Sequence, residues 1–322
     1  MLKWIKEKLL TGSVPQAKAV VPAETAVTGT DGHEGQQLLE TGDQFFKERK
    51  FPEAERHYLQ AIALRPEDAS LHNKLGDSYY EQNKLAEAEK YCRQALLLQP
   101  DWIDASLSLG IVLDELSRYA EAEKVYKDVL ARHPDAYLVC FNLAVTLGTS
   151  GRVQEAVSFY QKALEIKPEF FHAHFNLGTL FQRQQILDMA EFHYRRTIEV
   201  NPQHFAALSN LGVICKERRQ YDDAESCFVQ ALRINGNHLD THNNLGLVYF
   251  KKNKLDAAVK CFQHVLTLKP DFADAHCNLG DAYKKQARLV EAEASYKAAI
   301  VLRSDNPRYY CNLGILYHES GR

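Results

Sequence analysis

A proline recurs along the chain at intervals of 34 residues. Two further places in this phase hold Gly236 and Ser304, and the prolines are Pro66, Pro100, Pro134, Pro168, Pro202 and Pro270. A fixed period between about 20 and 50 residues indicates stacked supersecondary units, because a unit of that size cannot bury its apolar face alone. The repeat predicts one elongated array rather than two globular domains.

The composition is that of an ordinary soluble protein. Of the 322 residues, 45% are hydrophobic and 25% are charged, and the formal net charge is −3. This balance gives no electrostatic case for binding nucleic acid, and no apolar run approaches the roughly 18 residues of a membrane span. The seven cysteines show no CxxC spacing. They are predicted to be free thiols in a reducing compartment, which indicates a cytoplasmic protein.

Two segments precede the repeats. Residues 1–10 carry apolar side chains and lysines at helical spacing, which predicts a short amphipathic segment that frays or docks transiently. Weak contact with a membrane surface is the alternative for this segment. Residues 11–34 show no helical periodicity and are rich in Thr, Ala, Gly, Val and Pro, which predicts a flexible linker.

The repeat array is predicted over residues 35–322, as eight full units and the first helix of a ninth. Each unit contains two amphipathic patterns, here called helix A and helix B. Helix A has leucine at repeat position seven, glycine or alanine at eight and usually a large residue at eleven, which share one helical face. Helix B has alanine at twenty, usually an aromatic at twenty-four and a small residue at twenty-seven. We expect the small residues to admit the neighbouring helix and the ring to fill the remaining gap.

Turn residues agree with this division. Position fifteen should end helix A in a left-handed cap, and four units have Asn or Gly there: Asn83, Gly151, Asn253 and Gly321. The recurrent proline ends helix B. Four aspartates are expected to cap the following helix: Asp101, Asp135, Asp271 and Asp305. The predicted fold class is all-α, an α-solenoid of antiparallel helix pairs.

This set of positions, with its period of 34, resembles the tetratricopeptide repeat. The resemblance covers residues 35–322, with mild departures such as Thr41 in place of leucine and Thr197 at position twenty-seven. It implies a right-handed superhelix in which helices A line a concave groove and helices B lie on the convex side. It also implies a non-catalytic scaffold that binds a protein or an extended peptide.

Position six of helix A is asparagine in units four to nine. These residues are Asn142, Asn176, Asn210, Asn244, Asn278 and Asn312. Helix propensity does not favour asparagine, whereas a primary amide can pair with a peptide N–H and C=O together. Helices about 10 Å apart would bring one asparagine to roughly every third residue of an extended chain. We therefore predict a peptide-binding row, similar to that of O-GlcNAc transferase-type repeats; the alternative is that the asparagines only bond neighbouring helices.

The predicted peptide-binding face also includes aromatic and cationic residues. They are Phe141, Phe175, Arg183, Lys216, Lys251 and Lys284. Acidic residues of a partner should prefer this C-terminal half, because the same face of the first units carries acids such as Asp43, Asp77 and Asp114. The alternative is that these charges form only a solvated surface.

No pattern predicts catalysis, a cofactor or a metal. His172 and His174 are separated by one residue, so they lie on different helical faces. Histidine recurs at position four of helix A, where it is predicted to pack between repeats: His72, His174, His242 and His276. No arrangement of a nucleophile with a base is evident, and the chain is predicted not to be an enzyme.

Residue 322 falls in the turn between the two helices of the ninth unit. Tyr310, Leu313 and Tyr317 would then expose apolar surface that a helix B should cover. One expectation is that the natural protein continues, and that this array is the substrate-recognition arm of a longer enzyme such as an O-GlcNAc transferase-like glycosyltransferase. The other is that copies self-associate through this half repeat.

Overall fold

The computed structural model describes residues 31–321, in which the chain forms seventeen α-helices and no strand. This confirms the predicted all-α class. The predicted amphipathic segment 1–10 and the linker up to residue 30 lie outside the described residues. The first helix begins at Asp31, four residues before the predicted start of the repeats.

The helices alternate between the two predicted types. Helices of type A are α1 (Asp31–Lys47), α3 (Ala69–Glu81), α5 (Ile103–Glu115), α7 (Tyr137–Thr149), α9 (Phe171–Arg183), α11 (Phe205–Glu217), α13 (Leu239–Lys251), α15 (Ala273–Lys285) and α17 (Pro307–Glu319). Helices of type B are α2 (Phe51–Leu64), α4 (Leu85–Leu98), α6 (Tyr119–Arg132), α8 (Val153–Ile166), α10 (Leu187–Val200), α12 (Tyr221–Ile234), α14 (Leu255–Leu268) and α16 (Leu289–Leu302).

The described residues form two compact units, divided between Pro168 and Glu169. The first unit holds the helix pairs α1–α2 to α7–α8. The second unit holds α9–α10 to α15–α16 and then α17. Within each unit, helix A packs most closely against the helix B that follows it, and that helix B packs against the next helix A. Each unit is therefore a helical-repeat solenoid.

The core consists of the positions that the repeat pattern selected. Alanine at position twenty is fully buried in every full repeat: Ala54, Ala88, Ala122, Ala156, Ala190, Ala224, Ala258 and Ala292. Glycine at position eight usually lies against the ring at position twenty-four, as Gly246 does against Phe262. A Cβ atom on Gly246 would be 2.5 Å from a carbon of that ring. The predicted close approach of helices A and B is thus confirmed.

Position fifteen takes a left-handed backbone in all nine repeats. The predicted Asn83, Gly151, Asn253 and Gly321 have positive φ, and so do five residues that the sequence did not single out: Arg49, Ser117, Gln185, Arg219 and Ala287. A side chain with a Cβ atom adopts this conformation at a cost of about 1–2 kcal/mol. The helix-pair geometry therefore imposes the turn even where the residue disfavours it.

Replacing Ala287 with glycine is expected to stabilise the second unit by about 0.5–1 kcal/mol. Ala287 has φ near 60°, and glycine reaches this conformation without a Cβ clash, although it gains backbone entropy in the unfolded chain. Chemical unfolding monitored by circular dichroism measures the change. The reciprocal variant Gly151→Ala, at φ 86°, should destabilise, and a loss of stability in Ala287→Gly would contradict the expectation.

The N-terminal caps lie one residue later than predicted. Asp68 accepts a hydrogen bond from the Ser70 amide, and Asn306 accepts one from the Arg308 amide. Asp101 does not cap α5, whose N-cap residue is Trp102; its carboxylate instead pairs with Arg132. The prediction was wrong by one position because the turn after helix B holds one more residue before helical geometry begins.

Successive repeats are also joined by ion pairs that the sequence analysis missed. An acid at position twenty-one of helix B accepts from a cation at the start of the next helix B or the turn before it. Examples are Glu89 with Arg118 at 2.7 Å and Glu191 with Arg218 at 2.7 Å. Pairs with this exposure contribute up to about 1 kcal/mol each, and they link each helix B to the following repeat.

Candidate functional site

Five type A helices of the second unit carry most of the predicted binding residues. We call "the A face" the residues at repeat positions two, five, six, nine, twelve and thirteen of α9, α11, α13, α15 and α17. The asparagines at position six occupy equivalent places on these helices. Asn142 has the same position on α7, in the first unit.

The six asparagines differ in exposure. Asn210, Asn244 and Asn312 are half-buried, whereas Asn176 and Asn278 are only 6% and 3% exposed. Asn142 is fully buried, and its amide nitrogen donates to the Leu138 carbonyl at 2.8 Å. The amides accessible from the surface in the second unit are therefore mainly those of α11, α13 and α17.

Asn210 and Asn244 each form a hydrogen bond within the protein through one atom of the side-chain amide. Asn210 Nδ2 donates to the Tyr194 hydroxyl at 3.1 Å. Asn244 Oδ1 accepts from Lys216 Nζ at 2.6 Å. In each case one side of the amide is engaged, while the Asn210 carbonyl oxygen and the Asn244 amide nitrogen form no hydrogen bond to the described residues. Both amides keep capacity for a ligand.

Asn278 and Asn312 serve mainly to join α15 to its neighbours. Asn278 donates to Asn243 Oδ1 at 3.0 Å and accepts from Arg308 at 2.9 Å. Asn312 Nδ2 donates to Asp281 Oδ1 at 2.8 Å. These contacts agree with the alternative interpretation for these two positions, namely that asparagine bonds neighbouring helices.

The two predicted aromatic residues lie in different surroundings. Phe175 is half-buried on the A face, and its ring centroid is 4.5 Å from that of His204. Phe141 is fully buried in the first unit, where its ring meets Tyr160 edge-on at 5.5 Å. Phe141 therefore contributes packing, and a ligand on the surface would not reach it.

The predicted cations follow the same side of the second unit. Arg183 and Lys251 are exposed at the ends of α9 and α13. Lys284 lies 3.4 Å from the Glu319 carboxylate, so part of its charge is neutralised. Burial lowers the pKa of Lys216, whose amine contacts Asn244. Positive charges and side-chain amides that can still form hydrogen bonds therefore lie close together on α11 and α13.

The type A helices of the first unit are linked by polar contacts that include acids. Asp43 accepts from Lys74 at 2.8 Å, and Asp77 accepts from Ser108 at 2.9 Å. Asp114 is 9% exposed and accepts from the Thr146 hydroxyl at 2.8 Å. Burial raises the pKa of Asp114 to about 7. Sequence analysis marked these acids as surface charge, but two of them are buried between helices.

Histidine at position four usually binds the turn before its own helix. The Nε2–H of His72, His242 and His276 donates to the carbonyl at position thirty-two of the preceding repeat, at 2.8, 2.7 and 2.9 Å. These contacts agree with the predicted packing role between repeats. His174 is buried, with its Nδ1 2.9 Å from His193 Nδ1, whereas His172 is half-buried with its ring against that of Phe171. No group of three potential ligand side chains that could hold a metal ion occurs among residues 31–321.

The surface of α17 is open where a second helix would pack. Gly314 has no atom within 4 Å of its Cβ position, in contrast to Gly246 and Gly280. Tyr310 and Ile315 are 48% and 47% exposed. Self-association through this half repeat stays a prediction.

Within the described residues, no helix is long and apolar enough to cross a membrane.

Family models match most of the chain. A model described as "Tetratricopeptide repeat" matches residues 39–102 and 107–169, and a second one with that description matches 205–238. A model described as "TPR repeat" matches residues 246–286 and 288–321. No curated protein matches the sequence.

Solved structures share the fold at low identity. The chain is similar to YrrB, described as a TPR protein with an unusual peptide-binding site, at 20% identity and a TM-score of 0.55, over 57% of this chain and 95% of that one. It is similar to MamA protein at 21% identity and a TM-score of 0.50, over 54% and 94%. It is also similar to a chain of the APC/C hetero-tetramer Cut9-Hcn1 at 17% identity and a TM-score of 0.53, over 87% of this chain and 55% of that one.

Proposed function

We propose that this chain, which belongs to the tetratricopeptide-repeat family, binds an extended, acidic segment of a partner protein along the A face of its second unit. Repeats of this family form scaffolds whose extended surfaces bind proteins or peptides. The segment would run across α11 and α13, where the available amides and the positive charges lie together. This role requires only that the partner protein binds; it involves no chemical reaction of the partner.

The observation that carries the proposal is the pair Asn210 and Asn244. The two residues occupy the same repeat position on successive type A helices, and both are half-buried. Asn210 presents a carbonyl oxygen and Asn244 presents an amide nitrogen, so together they offer an acceptor and a donor to a peptide backbone. Helices about 10 Å apart match about three residues of an extended chain.

The charge of the proposed segment follows from the cations beside these amides. Arg183 and Lys251 are exposed, and Lys216 lies within hydrogen-bond distance of Asn244. The A face also carries Glu217 and Asp240 on the same two helices, so the positive charge is local to the cations beside the amides. Cations that line a binding site favour partners of the opposite sign and accelerate their association. Leu247 and Val213, half-buried at position nine, add apolar area between the polar groups.

The similarity to YrrB agrees with peptide binding as the mode of action. YrrB is described as a TPR protein with an unusual peptide-binding site. At 20% identity the likeness carries only the fold, so the residues of the present proposal derive from this chain alone. They define the surface that an experiment should test.

Replacing Asn210 and Asn244 together with alanine is expected to weaken peptide binding about tenfold or more. The Asn210 carbonyl oxygen can accept, and the Asn244 amide nitrogen can donate, at least one hydrogen bond with a peptide backbone. Each such bond contributes about 0.5–1.5 kcal/mol net. Peptides of about twelve residues are first selected from a random library on the wild-type protein. Their dissociation constants are then measured by isothermal titration calorimetry for the wild type and the variant.

The matched control is Asn235→Ala with Asn237→Ala, two exposed asparagines in the turn between α12 and α13. This control should bind like the wild type. Lys251→Glu should weaken acidic peptides selectively and reduce the salt dependence of binding. Equal affinity of the Asn210/Asn244 variant and the wild type, with both folded by circular dichroism, would refute the proposed site.

A further inference from the structure

Three acids on type A helices of the first unit have no cation beside them. Glu81 is the last residue of α3, and Asp114 and Glu115 are the last two residues of α5. Within residues 31–321, none of the three forms an ion pair. The acids at position twenty-one of the type B helices in this unit are instead all paired: Glu55 with Lys84, Glu89 with Arg118, and Glu123 with Arg152.

Glu81 and Glu115 occupy position thirteen on successive type A helices. The C-terminus of a helix carries partial negative charge and favours a cation. Three type A helices of the second unit have one at this position, namely Arg183, Lys251 and Lys285. The acids at the ends of α3 and α5 therefore add negative charge where the helix itself already contributes it. Glu115 is exposed and Glu81 is half-buried, so a ligand can reach both.

Two buried oxygens on the same side of these helices accept no hydrogen bond from the described residues. Asp114 is 9% exposed, and its Oδ2 accepts from Thr146, whereas its Oδ1 has no partner. Asn73 is 6% exposed, and its Oδ1 has none either. Asn73 lies one helical turn before Asp77, which accepts from Ser108 of α5 at 2.9 Å. Since an unpaired buried acceptor is unfavourable, both oxygens favour a ligand that donates hydrogen bonds.

Tyr80 adds an aromatic ring to this surface. It is half-buried at position twelve of α3, and its hydroxyl donates to Glu115 Oε1 at 3.4 Å. Burial raises the pKa of Tyr80, and the negative charges of Glu115, Glu81 and Asp77 raise it further. A guanidinium group stacks on an aromatic ring and carries five N–H donors. A ring beside carboxylates and unpaired acceptors therefore suits arginine better than lysine.

We propose that the acidic surface formed by Tyr80, Glu81, Asp114 and Glu115 binds an extended, arginine-containing segment of a partner protein. One guanidinium pairs with Glu81 and a second with Glu115. Helices about 10 Å apart match about three residues of an extended chain, so the two arginines stand three residues apart. Lys47 holds position thirteen of α1 but forms no ion pair with Glu81. This site lies in the first unit and does not depend on the function proposed for the second.

The test uses the full chain and a fluorescein-labelled peptide of alanine and glycine, with two arginines three residues apart. Fluorescence anisotropy at low salt, where exposed charges are weakly screened, measures its dissociation constant. A second peptide with serine in place of both arginines gives the background. We expect the arginine peptide to bind at least about tenfold more tightly than the serine peptide. Glu81→Gln with Glu115→Gln should remove most of this difference, and Asp114→Asn should also reduce it.

Asp128→Asn with Glu165→Gln is the matched control. It removes two exposed acids from α6 and α8 of the same unit, so the net charge changes by the same amount. This control should bind the arginine peptide like the wild type, and so should the double asparagine variant of the second unit. The proposal is overturned if the folded Glu81→Gln, Glu115→Gln variant binds as tightly as the control. It is also overturned if the wild type binds the arginine and serine peptides equally.

Discussion

Replacing Gly246 with alanine is expected to lower the free energy of unfolding of the second unit by about 1–3 kcal/mol. The new Cβ atom would lie 2.5 Å from one carbon of the Phe262 ring and 2.9 Å from two others. Phe262 is fully buried, so the ring cannot move aside without disturbing its neighbours. The gain in helix propensity, about 1 kcal/mol, offsets only part of this steric cost. Urea unfolding monitored by circular dichroism measures the difference.

Gly314 provides the control at the same repeat position. Nothing lies within 4 Å of its Cβ position, so Gly314→Ala should stabilise α17 by up to about 1 kcal/mol through helix propensity alone. Phe262→Leu should cost less stability in the Gly246→Ala background than in the wild type, because the smaller side chain makes room for the new methyl group. Equal effects of Gly246→Ala and Gly314→Ala on stability would show that the close contact between helices at Gly246 does not oppose a larger side chain.

Replacing Asp114 with asparagine is expected to remove a fall in stability of the first unit between about pH 4 and pH 7. Burial raises the pKa of Asp114 to about 7, whereas an unfolded aspartate titrates near 3.9. Between these values the folded state holds a proton that the unfolded state has lost, so the free energy of unfolding decreases as pH rises. A shift of this size corresponds to about 2–4 kcal/mol by pH 8.

The groups around Asp114 explain why an asparagine side chain can take its place. The Thr146 hydroxyl donates to Asp114 Oδ2 at 2.8 Å, and the fully buried Tyr126 also acts on this carboxyl group. Both contacts favour the charged form, but desolvation outweighs them, with Glu115 adding a smaller repulsion. An asparagine keeps an acceptor for Thr146 and carries no charge, so it should behave like the protonated acid at every pH.

Trp102 reports on this prediction from the start of α5, the helix that contains Asp114. A Trp4→Phe background leaves Trp102 as the single tryptophan, since the chain has two. Urea unfolding at pH 5 and pH 8 should show a pH-dependent midpoint in the parent and a nearly constant one in Asp114→Asn. A parent protein as stable at pH 8 as at pH 5 would contradict the raised pKa.

His193 is expected to give the second unit the opposite pH dependence, with a free energy of unfolding that decreases as pH falls. It is 5% exposed, and burial beside His174 lowers its pKa to about 4. Protonation must therefore cost stability as pH falls from about 6.5 towards 4, because the unfolded state takes up the proton first. The stabilities of the two units thus depend on pH in opposite directions over nearly the same range, because one carries a buried acid and the other a buried base.

Much of the fold follows from the repeat alone. The leucine, alanine and aromatic positions share a face through spacing within a single helix, so period and side-chain size suffice to locate the core. The caps illustrate the limit of this reasoning. Asp101 was placed at a helix start on residue type, but the start lies at Trp102, because the backbone of the turn and not the side chain decides where the helix begins.

The candidate site was predicted only in outline. Position six identified six asparagines as equivalent, yet Asn142 is fully buried and Asn210 is half-buried. Asn278 is occupied by contacts with Asn243 and Arg308. These differences depend on the residues that neighbouring helices present, and a pattern within one helix does not contain them.

The sequence by itself determined the period, the alternation of helices A and B and the residues that fill the core, because these depend on distances along one helix. The tertiary structure decided which amides keep hydrogen-bonding capacity and which acids are buried away from water. Burial and contact arise where separate helices pack. Asn142 and Asn210 show this most directly, since they hold the same repeat position and yet one is fully buried and the other is half-buried.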